Sequence, residues 1–341
     1  MKDISKTVHS ILNKTTFSPQ AFRESIKGDG TRLEKELASL NDFMRLNHPE
    51  KLYKYRAINQ NSIYALLNDD IYFSRADFFN DPYDCSLYFN KNKIIKKIYN
   101  EINLEIIKER YAYVEPEALN FIISNYEGNR QRFLKNIEEG LKNISSIHQK
   151  NMFVSCFSES VTSPLMWSHY SDNHTGFVVE YSFDESEFFP KPYVVGDKIH
   201  WHGFMSLLPV YYSNKKVDGS ALVECYAYSK TQEDIGINSL DFSAISQDLL
   251  LATKLSLVKS KHWSYEKEWR MMISREWPIA QKDEKWCVKQ QATATYLGER
   301  IKPQNKKRLK NIARLKNIPI FEMYSDPSSK NYEMKFREIK Y

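Results

Sequence analysis

The stretch Trp263-Ser264-Tyr265-Glu266-Lys267-Glu268-Trp269-Arg270-Met271-Met272-Ile273 decides how the rest of the chain is read. Written as a β-strand, its side chains alternate between two faces. Tyr265, Trp269, Met271 and Ile273 fall on one face and suit a core, while Glu266, Glu268 and Arg270 fall on the other. Carboxylates at i and i+2 sit about 7 Å apart at their Cα atoms. At that spacing one can orient a sugar hydroxyl while the other steers or deprotonates a nucleophile, and both favour a developing oxocarbenium ion. The same alternation describes an ordinary solvated strand, with Glu266 and Arg270 in a weak exposed ion pair, and that is its commoner meaning.

Working outward, residues 1 to 50 read as polar and helical, interrupted at Gly28-Asp29-Gly30, with Leu33, Leu37, Leu40, Phe43 and Met44 at helical spacing. Short strands are expected at Leu52–Arg56, Ile71–Ser74, Met152–Ser158, Gly176–Tyr181, Leu208–Tyr212, Ala294–Leu297 and Ile318–Tyr324. Helices are expected through Ile63–Leu67, Pro164–Tyr170, Ser246–Lys259 and Pro303–Lys316. Residues 91–150 read as a long helical insertion broken near Pro116 and Gly128. The pattern predicts an α+β fold with a mostly antiparallel sheet: a helical extension at 1–50, a domain at 51–325 carrying the insertion, and a tail at 326–341.

The 341 residues are 42% hydrophobic and 27% charged, a composition that excludes a disordered chain. A formal charge of +6 matters only where it clusters. It clusters in the last helix, where Lys306, Lys307, Arg308, Lys310, Arg314 and Lys316 oppose Leu309, Ile312 and Ala313. That face suits RNA or DNA phosphates, or is simply solvated. Cys85, Cys156, Cys225 and Cys287 form no CxxC pair, against a structural zinc site and a disulfide framework. His169, His174, His200 and His202 lack zinc-motif spacing, so no metal site is expected. Without a signal-like start or a span-length apolar run, a cytoplasmic protein with no membrane partner is expected. Walker, GxGxxG and GxSxG motifs are all missing.

Three further groups carry chemistry. Lys54 and Arg56 share one face of the first strand, opposite Tyr53 and Tyr55. Such a cationic fork suits a pyrophosphate, or protects an exposed edge strand. Phe78-Phe79-Asn80-Asp81-Pro82-Tyr83-Asp84 is a turn in which Asn80 and Asp81 bind their own backbone, and it lies where it could line a pocket. Trp167 and Tyr170 stand three residues apart on a helix, placed to stack on a nicotinamide or adenine ring, or to fill a core.

The strings LYKYR (52–56), YFSRADFFNDPYD (72–84), FVSCFS (153–158), LMWSHYSDNHTGFVVEY (165–181), TK (253–254) and WSYEKEWRM (263–271) occur in order. The series resembles a widespread bacterial family of uncharacterised function over residues 50–325, and its layout resembles that of ADP-ribosyltransferases. That resemblance implies a split sheet and NAD as substrate. Arg56, with Lys54 beside it, would hold the pyrophosphate, although one branch of those enzymes has a His on this strand. Ser74, or the strand from Ser155 to Ser158, would supply the middle element. Trp167 or Tyr170 would wall the nicotinamide. Glu268 would bind the ribose hydroxyl and stabilise the cation, and Glu266 would orient the acceptor. The acceptor would be a nucleic acid or a protein, in a growth-inhibiting toxin of phage defence with an antitoxin partner. The alternatives are NAD hydrolysis, with water as acceptor, and a non-catalytic module binding nucleic acid or a partner.

Overall fold

The computed structural model describes residues 3–26, 28–101, 115–189, 191–192, 204–226, 248–274 and 287–341. Its strands are β1 (Leu52–Arg56), β2 (Asp70–Tyr72), β3 (Ser74–Arg75), β4 (Met152–Ser158), β5 (Phe177–Tyr181), β6 (Lys191–Pro192), β7 (Phe204–Pro209), β8 (Tyr211–Ser213), β9 (Val258–Ser260), β10 (Glu268–Ser274), β11 (Cys287–Lys289), β12 (Ala292–Leu297), β13 (Ile320–Ser325) and β14 (Met334–Glu338). A ten-stranded sheet runs in the order β14-β13-β12-β5-β1-β4-β10-β7-β6, with β3 on the edge of β4. Its pairings are antiparallel except β12 with β13. The fold is therefore α+β and mostly antiparallel, as the sequence predicts. Among the described residues no helix is long and apolar enough to cross a membrane.

The sheet parts in its middle. β1 pairs with the whole of β5, from Leu52↔Tyr181 to Arg56↔Phe177. β4 likewise pairs with the whole of β10, from Glu268↔Ser158 to Ser274↔Met152. Between β1 and β4, however, the register holds a single pair, Tyr53↔Ser158. Further along, the same edge of β4 is taken by β3, at Val154 and Phe153. This fork opens within a single connected sheet.

Helices α1 (Ile4–Leu12), α2 (Pro19–Ile26) and α3 (Thr31–Asn47) precede the first strand. The periodic residues Leu37, Leu40 and Met44 of α3 are buried, and with Val8 and Leu12 they join the core cluster that holds Trp269, Met271 and Ile273. The first 50 residues thus help to build the hydrophobic layer behind the sheet. A smaller cluster on the opposite face contains Trp167, Val178, Tyr296 and Met323, with Tyr53 and Tyr55 packed against it.

Next come α4 (Gln60–Leu67), α5 (Lys91–Glu101), α6 (Pro116–Asn151), α7 (Pro164–Tyr170), α8 (Leu251–Ser256) and α9 (Pro303–Lys316). Pro116 opens α6 at its first turn, where a missing N–H costs nothing, but Gly128 does not break it: the helix runs on for 36 residues. A lone glycine costs only about 1 kcal/mol against alanine, too little to end so long a hydrogen-bond ladder. The helix expected at 246–259 has its described part in α8; Val258–Ser260 instead forms β9, parallel to β8. Residues 326–341 contain β14, which extends the sheet edge.

The deciding stretch itself is not one strand. Lys261–Glu266 is a 3-10 turn that starts with the Ser260 side chain accepting from His262 N. It ends at Lys267, whose φ of 44° lies in the left-handed region, and β10 begins at Glu268. Glu266 therefore comes from a turn, while Glu268 and Arg270 share a strand face opposite Trp269, Met271 and Ile273.

Gly176, at the mouth of β5, fixes the far end of the fork. A Cβ there would lie 2.2 Å from the Arg56 carbonyl oxygen and 2.8 Å from that of Ser171. Gly176→Ala is expected to cost about 1–3 kcal/mol in chemical denaturation, because backbone must give way; an unchanged midpoint would show that β1 and β5 separate freely.

Candidate functional site

The fork in the sheet sets the geometry of the site. Lys54 pairs with Val179, and across the gap its ammonium lies 4.7 Å over the Phe157 ring, so it belongs to the Phe157 face. Glu268 pairs with Ser158 and Arg270 with Cys156, on the other face of β4. An unbroken sheet would keep these charges apart. Because β1 and β4 part, both sets border one cleft of about 490 Å³.

Six of the eight candidate residues line that cleft: Lys54, Arg56, Ser74, Tyr170, Glu266 and Glu268. Ser155 sits behind it as an acceptor, taking a hydrogen bond from Lys54 Nζ at 2.7 Å. Trp167 does not wall the cleft. It is fully buried, its Nε1 donates to Val161 O at 2.6 Å, and its ring meets Tyr55 edge-on at 5.3 Å. The indole N–H needed a buried acceptor, and that turned Trp167 into the core while Tyr170 faces the cleft.

One pole of the cleft is cationic. Lys54 Nζ donates to Ser155 Oγ and, at 3.0 Å, to Cys156 O, both neutral acceptors. Burial, followed by the neighbouring Arg56 charge, brings its pKa down to about 7. Burial also depresses Arg56, with Tyr181 opposing the shift. Arg56 Nη2 is buried and makes no hydrogen bond. A guanidinium nitrogen left without an acceptor is costly unless a ligand oxygen completes it.

The other pole is a buried lattice of charge. Arg270 donates from Nε to Glu268 Oε1 at 2.7 Å and from Nη2 to Glu268 Oε2 at 3.0 Å. It also forks onto Asp84, Nη1 to Oδ1 at 2.8 Å and Nη2 to Oδ2 at 2.6 Å, and gives Nη1 to Ser256 O at 2.6 Å. The weak exposed ion pair weighed for Glu266 and Arg270 is thus replaced by a buried bidentate pair with Glu268. Lys259 on β9 reaches in beside it, 2.6 Å from Glu266 Oε2, 3.0 Å from Glu268 Oε2 and 3.3 Å from Asp84 Oδ2. Tyr170 donates its hydroxyl to Glu266 Oε1 at 2.5 Å. The Ser158 hydroxyl ties the Glu266 turn to β4 by donating to Glu266 O at 2.6 Å.

The two glutamates are therefore in different states. Burial, then the Glu268 charge, pushes Glu266 up to about 7, with Lys259 opposing. Burial pulls Glu268 in the same direction, but Arg270 and Lys259 outweigh it and hold that carboxyl well below the usual range. Glu268 is thus held toward its anion, and Glu266 is shifted toward its protonated form.

Asp84 and Lys259 are missing from the sequence-derived set. Asp81 builds the turn as expected, accepting from Tyr83 N at 2.9 Å, whereas Asp84 leaves it to bind Arg270. His200 and His202 lie outside the described residues. The basic helix is partly spent on the fold: Lys306 pairs with Glu322 at 2.5 Å, Lys316 with Asp69 at 2.8 Å, and Arg314 lies over the Tyr341 ring.

Residues 166–271 match the model of a family described as a protein of unknown function (DUF2971). The expected resemblance to an uncharacterised family is found there, over the segment that holds Tyr170, Lys259, Glu266, Glu268 and Arg270; Lys54 and Arg56 lie outside it. No curated protein and no solved structure matches the chain.

Two outcomes follow from the lattice. Arg270→Met leaves Asp84 and Glu268 buried without their shared partner, and is expected to cost roughly 3–5 kcal/mol in urea unfolding. Glu266 has a folded pKa raised from 4.5 to about 7, so its contribution is fully present below about pH 4.5 and is lost as pH rises through about 7. Thermal melts across that window should therefore show Glu266→Gln gaining on the wild type as pH rises; parallel curves would mean that Glu266 titrates normally.

Proposed function

We propose that the cleft binds NAD as a substrate, breaks the bond between nicotinamide and ribose, and passes ADP-ribose to an acceptor. The observation that carries this reading is the meeting in one cleft of Lys54 and Arg56 at one side with Glu266 and Glu268, held by Arg270 and Lys259, at the other. NAD has the matching pattern: an anionic pyrophosphate joined through ribose to a cationic ring. Arg56, with its unpartnered Nη2, suits a pyrophosphate oxygen, and Lys54 adds charge beside it.

Beside the two glutamates the C–N bond breaks, its electron pair leaves with neutral nicotinamide, and the positive charge remains on the ribose. Glu268, kept ionised by Arg270 and Lys259, is suited to hold a ribose hydroxyl and to stabilise that cation. Glu266 is suited to take the proton as the acceptor's nucleophile bonds to the anomeric carbon, since its pKa lies near neutrality. Tyr170 positions Glu266 through its hydroxyl. The fork, the two unlike carboxylates and the cationic strand are what support the likeness to ADP-ribosyltransferases.

Nicotinamide release from NAD, read by chromatography, tests the proposal. Wild-type protein should release it, Glu266→Gln should slow release roughly 10²–10⁴-fold, and Arg56→Ala should raise KM more than it lowers kcat. Free ADP-ribose as the sole product would make water the acceptor. Absence of nicotinamide release, or full activity in Glu266→Gln, would overturn the reading.

A further inference from the structure

Behind the cleft lies a second cavity of about 250 Å³, and Asp84 and Lys259 line both. Its floor is apolar, with Leu87, Leu255 and Val258, and its rim carries Tyr83, Lys215 and Lys216. Of the two acids lining it, Asp84 holds Arg270, while Asp81 accepts from Tyr83 N and its charge also reaches Lys216. The lysines are exposed, and Lys216 Nζ lies 4.7 Å over the Tyr83 ring while donating to the neutral Ser86 hydroxyl.

The connecting segment presents aromatic rings to solvent. Phe78 is 73% exposed, Tyr83 69% and Tyr88 55%. Phe78 lines the cleft and Tyr83 lines the second cavity, so exposed rings mark a path from one to the other. Isolated exposed aromatics are unremarkable, but placing several of them beside exposed lysine charge is how proteins hold unstacked bases and their phosphates.

We infer that this cavity and its rim bind single-stranded nucleic acid. One unpaired base would stack on Tyr83 and enter the cavity, its phosphates would meet Lys215 and Lys216, and the strand would run past Phe78 toward Glu266. At about 250 Å³ the cavity is small, and a duplex keeps its bases stacked away from such a site. Binding at this site needs nothing from the cleft; that the bound strand is the ADP-ribose acceptor rests on the function proposed above.

Fluorescence anisotropy of labelled single-stranded RNA and DNA oligonucleotides, and of the matching duplexes, tests the inference on the full chain without NAD. Tyr83→Ala and the pair Lys215→Glu with Lys216→Glu alter exposed side chains, and circular dichroism checks that they fold. Single strands should bind more tightly than duplexes and weaken with salt. Each variant should lose roughly tenfold or more, while Lys307→Glu with Arg308→Glu on α9 should lose little. Preference for duplex, no binding at tens of micromolar, or loss confined to the α9 variant would overturn it. Oligonucleotide binding without nicotinamide release would leave this site standing and remove the proposed chemistry, and the converse result would do the reverse.

Discussion

The site is organised by one buried cation. Arg270 is fully inaccessible, and its five N–H groups all find acceptors in Glu268, Asp84 and Ser256 O. Through them it fastens β10 to the turn after β3 and to the end of α8, pieces of chain that Lys259 and the core also hold together. Removing a guanidinium from water is expensive, and the bidentate geometry to two carboxylates is what makes burial tolerable. With Lys259, this guanidinium holds the Glu268 carboxyl well below the usual range. Arg270 is thus an architectural residue whose effect on chemistry passes through the charge it imposes on Glu268.

The second constraint is the missing pairing between β1 and β4. Hydrogen bonds along that edge would make a continuous sheet with cations on one side and acids on the other. The Lys54 ammonium instead takes the Cys156 carbonyl that a strand neighbour would otherwise have bonded. A lysine thus substitutes for a stretch of backbone ladder, and the gap it bridges is the cleft. This arrangement also accounts for the easily lost proton on Lys54, which is desolvated by the fold yet bonded to neutral oxygens.

Much of this was legible in the chain. The alternation of Lys54 and Arg56 with two tyrosines, and of Trp269, Met271 and Ile273 with Glu268 and Arg270, reported strand faces that the structure keeps. The inner face of α9 was readable from Leu309, Ile312 and Ala313 for the same reason. Periodicity failed at Trp263–Lys267, because a 3-10 turn closed by a left-handed residue has no period-2 signature, yet it carries Glu266 back beside Glu268. Asp84 and Lys259 were illegible for a different reason. Asp84 meets Arg270 across 186 residues, and a single charged side chain bears no local mark of whether its partner is protein or water. Trp167 takes the core position that was open to it beside a cleft position, because helical spacing fixes a direction around the axis but not which neighbour lies there.

What remains is the unequal treatment of two neighbouring carboxylates. Two acids this close cannot both ionise freely, and the lattice resolves the conflict by position. Glu268 takes one fork of Arg270 and a contact from Lys259, so the proton is driven off it. Glu266 has Tyr170 on one oxygen and Lys259 on the other, and feels Glu268 as a repelling charge. Environments that push paired acids apart in this way divide labour between a fixed charge and a proton carrier. The division would be pointless in a solvated strand face, where both carboxylates would ionise alike and no partner would be held. A buried arginine, a buried lysine and a tyrosine keep them unequal, and the proposed chemistry rests on that inequality.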